Sequence, residues 1–361
     1  MAVYTTIDDP SVYFQLVSWT GNGTDGRTIT LPGSTNMRPD FICVKNRTDA
    51  EDHCLMDVVR TFASGKAMRS NGGDEEGGVG TAARGWVEAA SDGFTCEDGS
   101  SNANLVNASS DTYLAWCWKT QGGTGSSNEA GSINTTTTSV NTTSKFSIST
   151  YTGTGSAATI GHGLGAVPHW IICKERGGVG DWVCYHHRNT SAPETDVLEL
   201  NNSTATADNN GMWNDTAPTS TLITLGGSAV LNNSSDTYVC YAWSEVQGFS
   251  KFGTYQGNNS SDGTFVYTGF APKIVIYKMT SGLANWCIKS KGVGTGYNTE
   301  AKYQYLSANS AEVSGCDMDF LSNGFKWRDN AANCNNSNTF VYMAFAESPL
   351  VNSNGVPCNA T

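Results

Sequence analysis

Five histidines, His53, His162, His169, His186 and His187, are the first candidates for acid–base chemistry in a chain of 361 residues. A serine hydrolase would set one of them between a nucleophile and a carboxylate. The sequence holds no Gly-x-Ser-x-Gly elbow, no Walker loop and no histidine pair at helical spacing. Gly161-His162-Gly163-Leu164-Gly165 has the look of a motif, but it reads as a turn feeding the strand after Pro168. His186 and His187 follow a strand that begins at Trp182. They suit a surface loop, a metal ligated at a symmetry axis, or simply a solvated strand end. Glycoside hydrolysis requires two carboxylates facing across a cleft. Asp181, Glu194, Asp196, Glu199 and Glu245 show no matched pair in their spacing, so a polysaccharide depolymerase ranks last among the functions considered. No CxxC or Cys/His metal spacing occurs, and neither a metal nor another cofactor is expected.

The remaining chemistry is aromatic. The chain has 10 tryptophans and 14 tyrosines. Trp86, Trp213 and Trp327 fall in Asn- and Gly-rich stretches, where an indole can stack on a sugar ring while amides and carboxylates fix its hydroxyls. The competing reading has each indole plugging its own loop onto the body of the protein. With His186 and His187 these three form the set of candidate ligand-binding residues, and no residue is assigned a catalytic role.

The elements that would carry these residues come from an internal repeat. Three segments open on an alternating strand ending in an aromatic residue and, two positions on, a glycine: Trp19 and Gly21, Tyr151 and Gly153, Tyr255 and Gly257. Each continues with a proline six residues before a lysine: Pro39 and Lys45, Pro168 and Lys174, Pro272 and Lys278. Eight residues later another strand begins, at His53, Trp182 and Trp286. The segments close on aromatic strands, Tyr113–Trp118, Tyr238–Trp243 and Phe340–Phe345. Period-2 alternation predicts strands with one side on a core and the other toward water. Turns rich in Gly, Asn, Asp and Ser separate them. The expected fold is all-β: three tandem antiparallel β-sandwich domains of jelly-roll or lectin-like form.

The expected boundaries are a leader (1–12), copy one (13–120), a flexible Gly/Ser/Thr linker (121–145), copy two (146–246), copy three (247–347) and a tail (348–361). A linker of that length and composition would reach roughly 25–30 Å and let copy one sit apart. Copies two and three, joined by a few residues, are expected to pack together. The 11 cysteines are an odd count. Cysteine trades with Val, Ile and Leu at repeat-equivalent sites such as Cys54, Val183 and Cys287, which favours reduced, buried thiols over disulfides. A net charge of -12 argues against a nucleic-acid partner. No stretch is long and apolar enough for a membrane-spanning helix, and the start lacks the pattern of a secretory signal. The Asn-x-Ser/Thr triplets at Asn46, Asn107 and Asn202 are attributed to composition.

Several blocks resemble a family of marine, cyanophage-type bacteriophage virion proteins: Tyr4–Ser11, Tyr151–Ser156, Gly161–Gly165, Phe265–Phe270, Leu321–Lys326 and Tyr342–Glu347. The resemblance implies a structural or appendage protein of the particle, often tail-fibre-like, made in the host bacterial cytoplasm and resident in the virion. It implies other virion proteins as partners and no catalytic residues. A weaker likeness joins Pro168 before an apolar strand, Gly324-Phe325 before a turn and the closing aromatic strand, and is similar to H-type lectin sandwiches. That likeness implies a homo-oligomer, a trimer in particular, in contact with glycans. The expected function is a tail-fibre or adhesin-type component binding host-surface glycans. The alternative is a non-receptor structural component, such as a capsid decoration or tail/baseplate protein.

Overall fold

The structure, a computed structural model, describes residues 4–78, 85–97, 104–294, 296 and 298–358. Unit one contains β1 (Phe14–Thr20), β2 (Arg27–Ile29), β3 (Phe41–Asn46), β4 (Cys54–Asp57), β5 (Trp86–Ala90), β6 (Gly93–Glu97) and β7 (Thr112–Trp118). Unit two contains β8 (Thr137–Asn141), β9 (Phe146–Thr152), β10 (Ala158–Gly161), β11 (Trp170–Glu175) and β12 (Val183–His186). It continues through β13 (Asp196–Glu199), β14 (Ala207–Asp208), β15 (Leu222–Leu225) and β16 (Thr237–Trp243). Unit three contains β17 (Ser250–Gln256), β18 (Phe265–Tyr267), β19 (Phe270–Met279) and β20 (Cys287–Ser290). It ends with β21 (Glu300–Tyr305), β22 (Val313–Leu321), β23 (Gly324–Trp327) and β24 (Thr339–Pro349).

One strand order occurs three times. β1-β7-β3-β4, β9-β16-β11-β12 and β17-β24-β19-β20 are antiparallel sheets of the same connectivity. Each is backed by a second layer containing β2-β6, β10-β15 or β18-β23. In unit three the two layers are one eight-stranded sheet, running on from β20 through β21, β22 and β23 to β18. Register is conserved as well. Cys43, Ile172 and Ile276 face Trp116, Tyr241 and Met343 across their sheets. An aromatic pair stacks at the same place in every unit: Trp19 on Tyr113 at 5.4 Å, Tyr151 on Tyr238 at 5.1 Å and Tyr255 on Phe340 at 5.0 Å.

The main sheets are buried on both faces, which corrects the expectation of one solvated side. Along β7, Leu114, Trp116 and Trp118 enter a core shared by all three units, while Tyr113, Ala115 and Cys117 enter unit one's own core. A strand with two buried faces loses its polar positions and reads as a continuous apolar run. All six residues of β3 are buried, the first four apolar and the last two, Lys45 and Asn46, satisfied by hydrogen bonds. Ten of the 11 cysteines lie inside these layers, and Cys358 is exposed.

Two further corrections concern the leader and the segment 121–145. The latter does not form a free coil: it supplies β8, which pairs with β9 at the edge of unit two's sheet. Hydroxyls hold it there, with Thr138 bonded to Ser149 at 2.9 Å, Thr137 to Thr150 at 3.0 Å and Ser139 to Thr120 at 2.6 Å. Threonine favours strands as readily as it populates linkers, so polarity alone misled. Copy one consequently does not sit apart. The leader is docked too, with Ile7 in the shared core and the Tyr4 hydroxyl donating to the Gly269 carbonyl at 2.5 Å.

The units meet head to tail, and the third returns to the first. Trp182 Nε1 of unit two donates to the Arg69 carbonyl of unit one at 2.9 Å, and Trp286 Nε1 of unit three donates to the Glu199 carbonyl of unit two at 2.8 Å. His53, the counterpart in unit one, lies against the Tyr305 backbone of unit three. A second set closes the same way. The Glu76 N–H donates to the Arg176 carbonyl at 2.8 Å, Thr206 to Thr280 at 2.9 Å and Glu312 to Arg47 at 2.9 Å. Two of these seams add ion pairs, Arg47 to Glu312 at 2.7 Å and Arg176 to Glu76 at 2.8 Å. Head-to-tail contacts that close on themselves define a ring about a pseudo-threefold axis, here within one polypeptide.

Candidate functional site

The repeated lysines are structural. Lys45, Lys174 and Lys278 are fully buried at the seams. Lys45 Nζ donates to the carbonyls of Asn46 and Glu51 at 2.8 Å and of Asn309, across the seam, at 3.2 Å. Lys278 Nζ reaches the Ser203 carbonyl of unit two at 3.4 Å. Burial lowers all three from their ordinary value to about 8.

A polar ring also surrounds the axis. Asp57, His186 and Ser290 are equivalent, facing Phe41, Trp170 and Ile274 across their sheets. Each meets a neighbouring unit. The Tyr241 hydroxyl donates to Asp57 at 2.6 Å, Trp116 Nε1 donates to Ser290 at 3.0 Å, and His186 Nε2 lies 3.3 Å from the Tyr342 carbonyl. Asp57 is further paired with Arg60 at 2.5 Å, both side chains being fully buried. Between the sheets lies an apolar cavity of about 50 Å³, lined by residues of all three units including Cys43, Trp118, Trp170 and Ile276.

His186 and His187 are therefore not a surface loop or a solvated strand end. His186 is buried as the last residue of β12, and His187 lies on the seam with unit three, its Nε2 2.8 Å from the Phe252 carbonyl. Burial pushes His186 down to about 3 and His187 to about 4, so both are neutral. Among the described residues no cluster of three or more His, Cys, Asp or Glu could hold a metal ion. His162 is buried within its turn, where its Nδ1 accepts from the Leu164 N–H at 3.2 Å.

Two of the three candidate tryptophans are core residues. Trp213 ends a short helix, Asn210–Trp213, and is 2% exposed against Tyr185. Trp327 lies in β23 and is fully buried, 4.9 Å from Tyr277. Their Asn- and Gly-rich surroundings serve tight backbone. Asn209 caps the short helix by accepting from the Gly211 N–H, and Asn214 ends it with a left-handed φ of 51°. Trp86 is half-buried on β5 and packs against unit one's core. The five candidates thus do not converge on one site.

The exposed aromatics are elsewhere. Phe265 and Tyr267, on β18, are 45% and 54% exposed, and among the described residues no other aromatic side chain is exposed to this degree. Val266 between them enters unit three's core with Phe325 and Trp327 of β23 and Phe320 of β22. The opposite face is consequently outward, in two rows. Phe265, Lys326 and Asp319 form one, and Tyr267, Gly324 and Leu321 the other. A Cβ at Gly324 would collide with the Val266 carbonyl and come within 3.2 Å of the Phe265 ring, so glycine lets the two strands approach beside Tyr267. The charges are matched. Lys326 pairs with Asp262 at 2.6 Å and Arg328 with Asp319 at 2.6 Å. The repeat held a signal for this face: the equivalents of Phe265 and Tyr267 are Thr28 and Thr30 in unit one, and Thr159 and Gly161 in unit two. Aromatic residues at outward positions are unit three's departure from the pattern.

No curated protein and no solved structure matches the chain. One family model does, over residues 9–349, and so runs through all three units. The chain belongs to the family described as a domain of unknown function, DUF7483.

Proposed function

We propose that the chain is a bacteriophage virion protein of tail-fibre or adhesin type, and that it binds host-surface glycans on the outward face of unit three without transforming them. The observation that carries this reading is the pair Phe265 and Tyr267, held in the open by a protein that buries its other described aromatics wholly or in part. A ring left half exposed forgoes roughly 0.8–1.5 kcal/mol of burial, and such rings recur where a ligand covers them. A sugar's C–H face suits a flat ring, and Lys326, Asp262, Asp319 and Arg328 stand beside it to bond the hydroxyls of whatever lies there. The blocks shared with phage virion proteins supply the setting, and the closed three-unit body supplies rigidity.

The test is a printed glycan array together with adsorption to host cells, using the intact chain displayed at high valency. Binding is expected, and Phe265→Ala/Tyr267→Ala should remove it while leaving the urea midpoint nearly unchanged. Absence of binding to every glycan and cell tested would refute the reading.

A second reading, a capsid decoration or tail/baseplate component, is favoured by two hairpin tips. Val179 and Leu283 occupy equivalent positions between β11 and β12 and between β19 and β20, and are 82% and 77% exposed. Singly exposed apolar side chains are ordinary, and it is their recurrence at equivalent tips of two units that suits docking on another subunit. Labelled electron microscopy of the particle separates the two readings by position.

A further inference from the structure

We infer that the glycan site is longer than the aromatic face, continuing past Tyr4 into an open cleft where units two and three meet. This inference rests on the glycan reading above and names the part of the ligand that the face alone would leave unheld.

The cleft has a volume of about 530 Å³, within the range of small-molecule sites. It lies between the leader, the β8–β9 hairpin and the segment joining β16 to β17, and Tyr4, Thr6, Thr142, Thr143, Lys145 and Gln247 line it. Thr6, Thr142, Thr143 and Gln247 are exposed. Three hydroxyls and an amide that both donate and accept are the complement of a sugar's hydroxyls. Lys145 Nζ donates to the Leu164 carbonyl at 2.9 Å and keeps further donor capacity. Glu245, on the cleft wall, accepts from the Phe252 N–H at 2.8 Å and pairs with Lys251 at 3.3 Å.

Tyr4 makes the two surfaces continuous. Its ring lines the cleft, while its hydroxyl bonds to the Gly269 carbonyl and meets the Tyr267 hydroxyl. The leader is thereby fixed as a wall of the site. Thr5 beneath it is buried against Gly248, where a Cβ would come within 2.9 Å of the threonine.

The ligand class follows from charge. Lys326 and Arg328 on the face are matched by Asp262 and Asp319, and Glu245 in the cleft by Lys251. Among the described residues Lys145 is the one cation along the path that no carboxylate pairs, it already donates to a carbonyl, and the chain carries a net charge of -12. A polyanion would meet repulsion, whereas a neutral oligosaccharide of several rings meets hydroxyls, amides and aromatic faces. The aromatic face holds one end and the cleft the other.

The experiment titrates the full chain with neutral gluco-, galacto-, manno- and chito-oligosaccharides of one to six rings and with an acidic uronate ladder. Wild-type affinity should rise with neutral chain length, by about tenfold or more from the shortest bound member to the longest. Thr142→Arg and Gln247→Ala, both at exposed positions, should flatten that rise while leaving the shortest member's affinity unchanged. Phe265→Ala/Tyr267→Ala should abolish all binding. An unchanged length dependence in both cleft variants would overturn the extended site while leaving the glycan reading standing. Tighter binding of the acidic ladder would overturn the ligand class, and no binding of any glycan by wild type would overturn both readings.

Discussion

Replacing Arg60 by methionine separates two accounts of why the units hold together. Arg60 is fully buried and donates Nε to Asp57 at 2.5 Å, Nη1 to the Lys66 carbonyl at 2.7 Å and Nη2 to the Leu55 carbonyl at 3.2 Å. Nη1 also lies 3.3 Å from Glu76, whose carboxylate pairs across the seam with Arg176. Asp57 in turn accepts from Tyr241 of unit two. If the pair matters because a buried charge must not stand alone, Arg60→Met costs about 3–5 kcal/mol, as does Asp57→Asn. The double variant then costs less than the sum of the two, by about 1–3 kcal/mol, because neither charge is left unpaired. Asp57→Asn keeps an oxygen at Oδ1 for the backbone N–H groups of Val59 and Arg60, which bond there at 3.1 and 3.0 Å, and places an NH2 where Oδ2 accepts from Tyr241, so that contact persists with the tyrosine oxygen as acceptor. Urea unfolding followed by tryptophan fluorescence and far-ultraviolet circular dichroism measures all four proteins, with equal m-values as the check on a common transition. Strict additivity of the two single costs would refute the charge-pair argument and leave packing as the whole of Arg60's role.

Three other perturbations follow from the ring. Burial lowers His53 and His186 to about 3 from an ordinary 6.5. The unfolded chain therefore takes up protons that the fold refuses, and stability falls as pH drops below 6.5, by up to about 1.4 kcal/mol per pH unit for each histidine. His53→Trp, which copies Trp182 and Trp286, should make that acid limb shallower in pH-dependent urea midpoints; an unchanged slope would refute the assignment. The seam lysines have the complementary signature. Their charged form is disfavoured in the fold, which sheds the protons near pH 8 while the unfolded chain keeps them to about 10.5, so their contribution to stability rises with pH in that window, against the opposite slope of the buried thiols that burial pushes up from 9.0. Lys174→Met should remove one such contribution, so its midpoint should gain less, or lose more, than wild type between about pH 8 and 10, and identical pH slopes in the two proteins would contradict it. Finally, Cys43 lines the axial cavity where the other units place Ile172 and Ile276. A cavity of 50 Å³ corresponds to about 1.2 kcal/mol at ~24 cal/mol per Å³, so Cys43→Ile should stabilise by about 1 kcal/mol. A loss of stability would show that the cavity cannot admit the added atoms.

The strands were legible because their apolar runs, turn residues and triplicate spacing agree. The proline-to-lysine interval marks β3, β11 and β19, and the aromatic closers are β7, β16 and β24. What those strands face was not legible. Alternation assigns a strand two sides but cannot say that both are buried, and in β7 the residues on the two sides are equally apolar. The ring itself is written in pairs distant in sequence, such as Trp182 with Arg69 and Arg47 with Glu312. Neither member of such a pair announces the other. The candidate site failed for a related reason: Trp213 and Trp327 sit beside Asn and Gly, which signal tight backbone as strongly as they signal exposure. Phe265 and Tyr267 flank a valine, and three apolar residues in a row conceal which one points inward.

Triplication within one chain also explains how a single unit can carry an exposed aromatic pair that the other two lack. A homotrimer built from identical subunits would present every surface three times, and any aromatic placed outward would be exposed on all three. Covalent linkage lifts that constraint. The buried lysines stay alike because each donates to the carbonyl of the residue that follows it, Lys45 to Asn46, Lys174 to Glu175 and Lys278 to Met279. The outward positions are free to differ, and they do, with Thr28 on β2, Thr159 on β10 and the aromatic pair on β18. Symmetry is thus retained where burial enforces it and lost where solvent permits. Outward residues that differ among otherwise equivalent units are where specialised recognition can arise without disturbing the shared core.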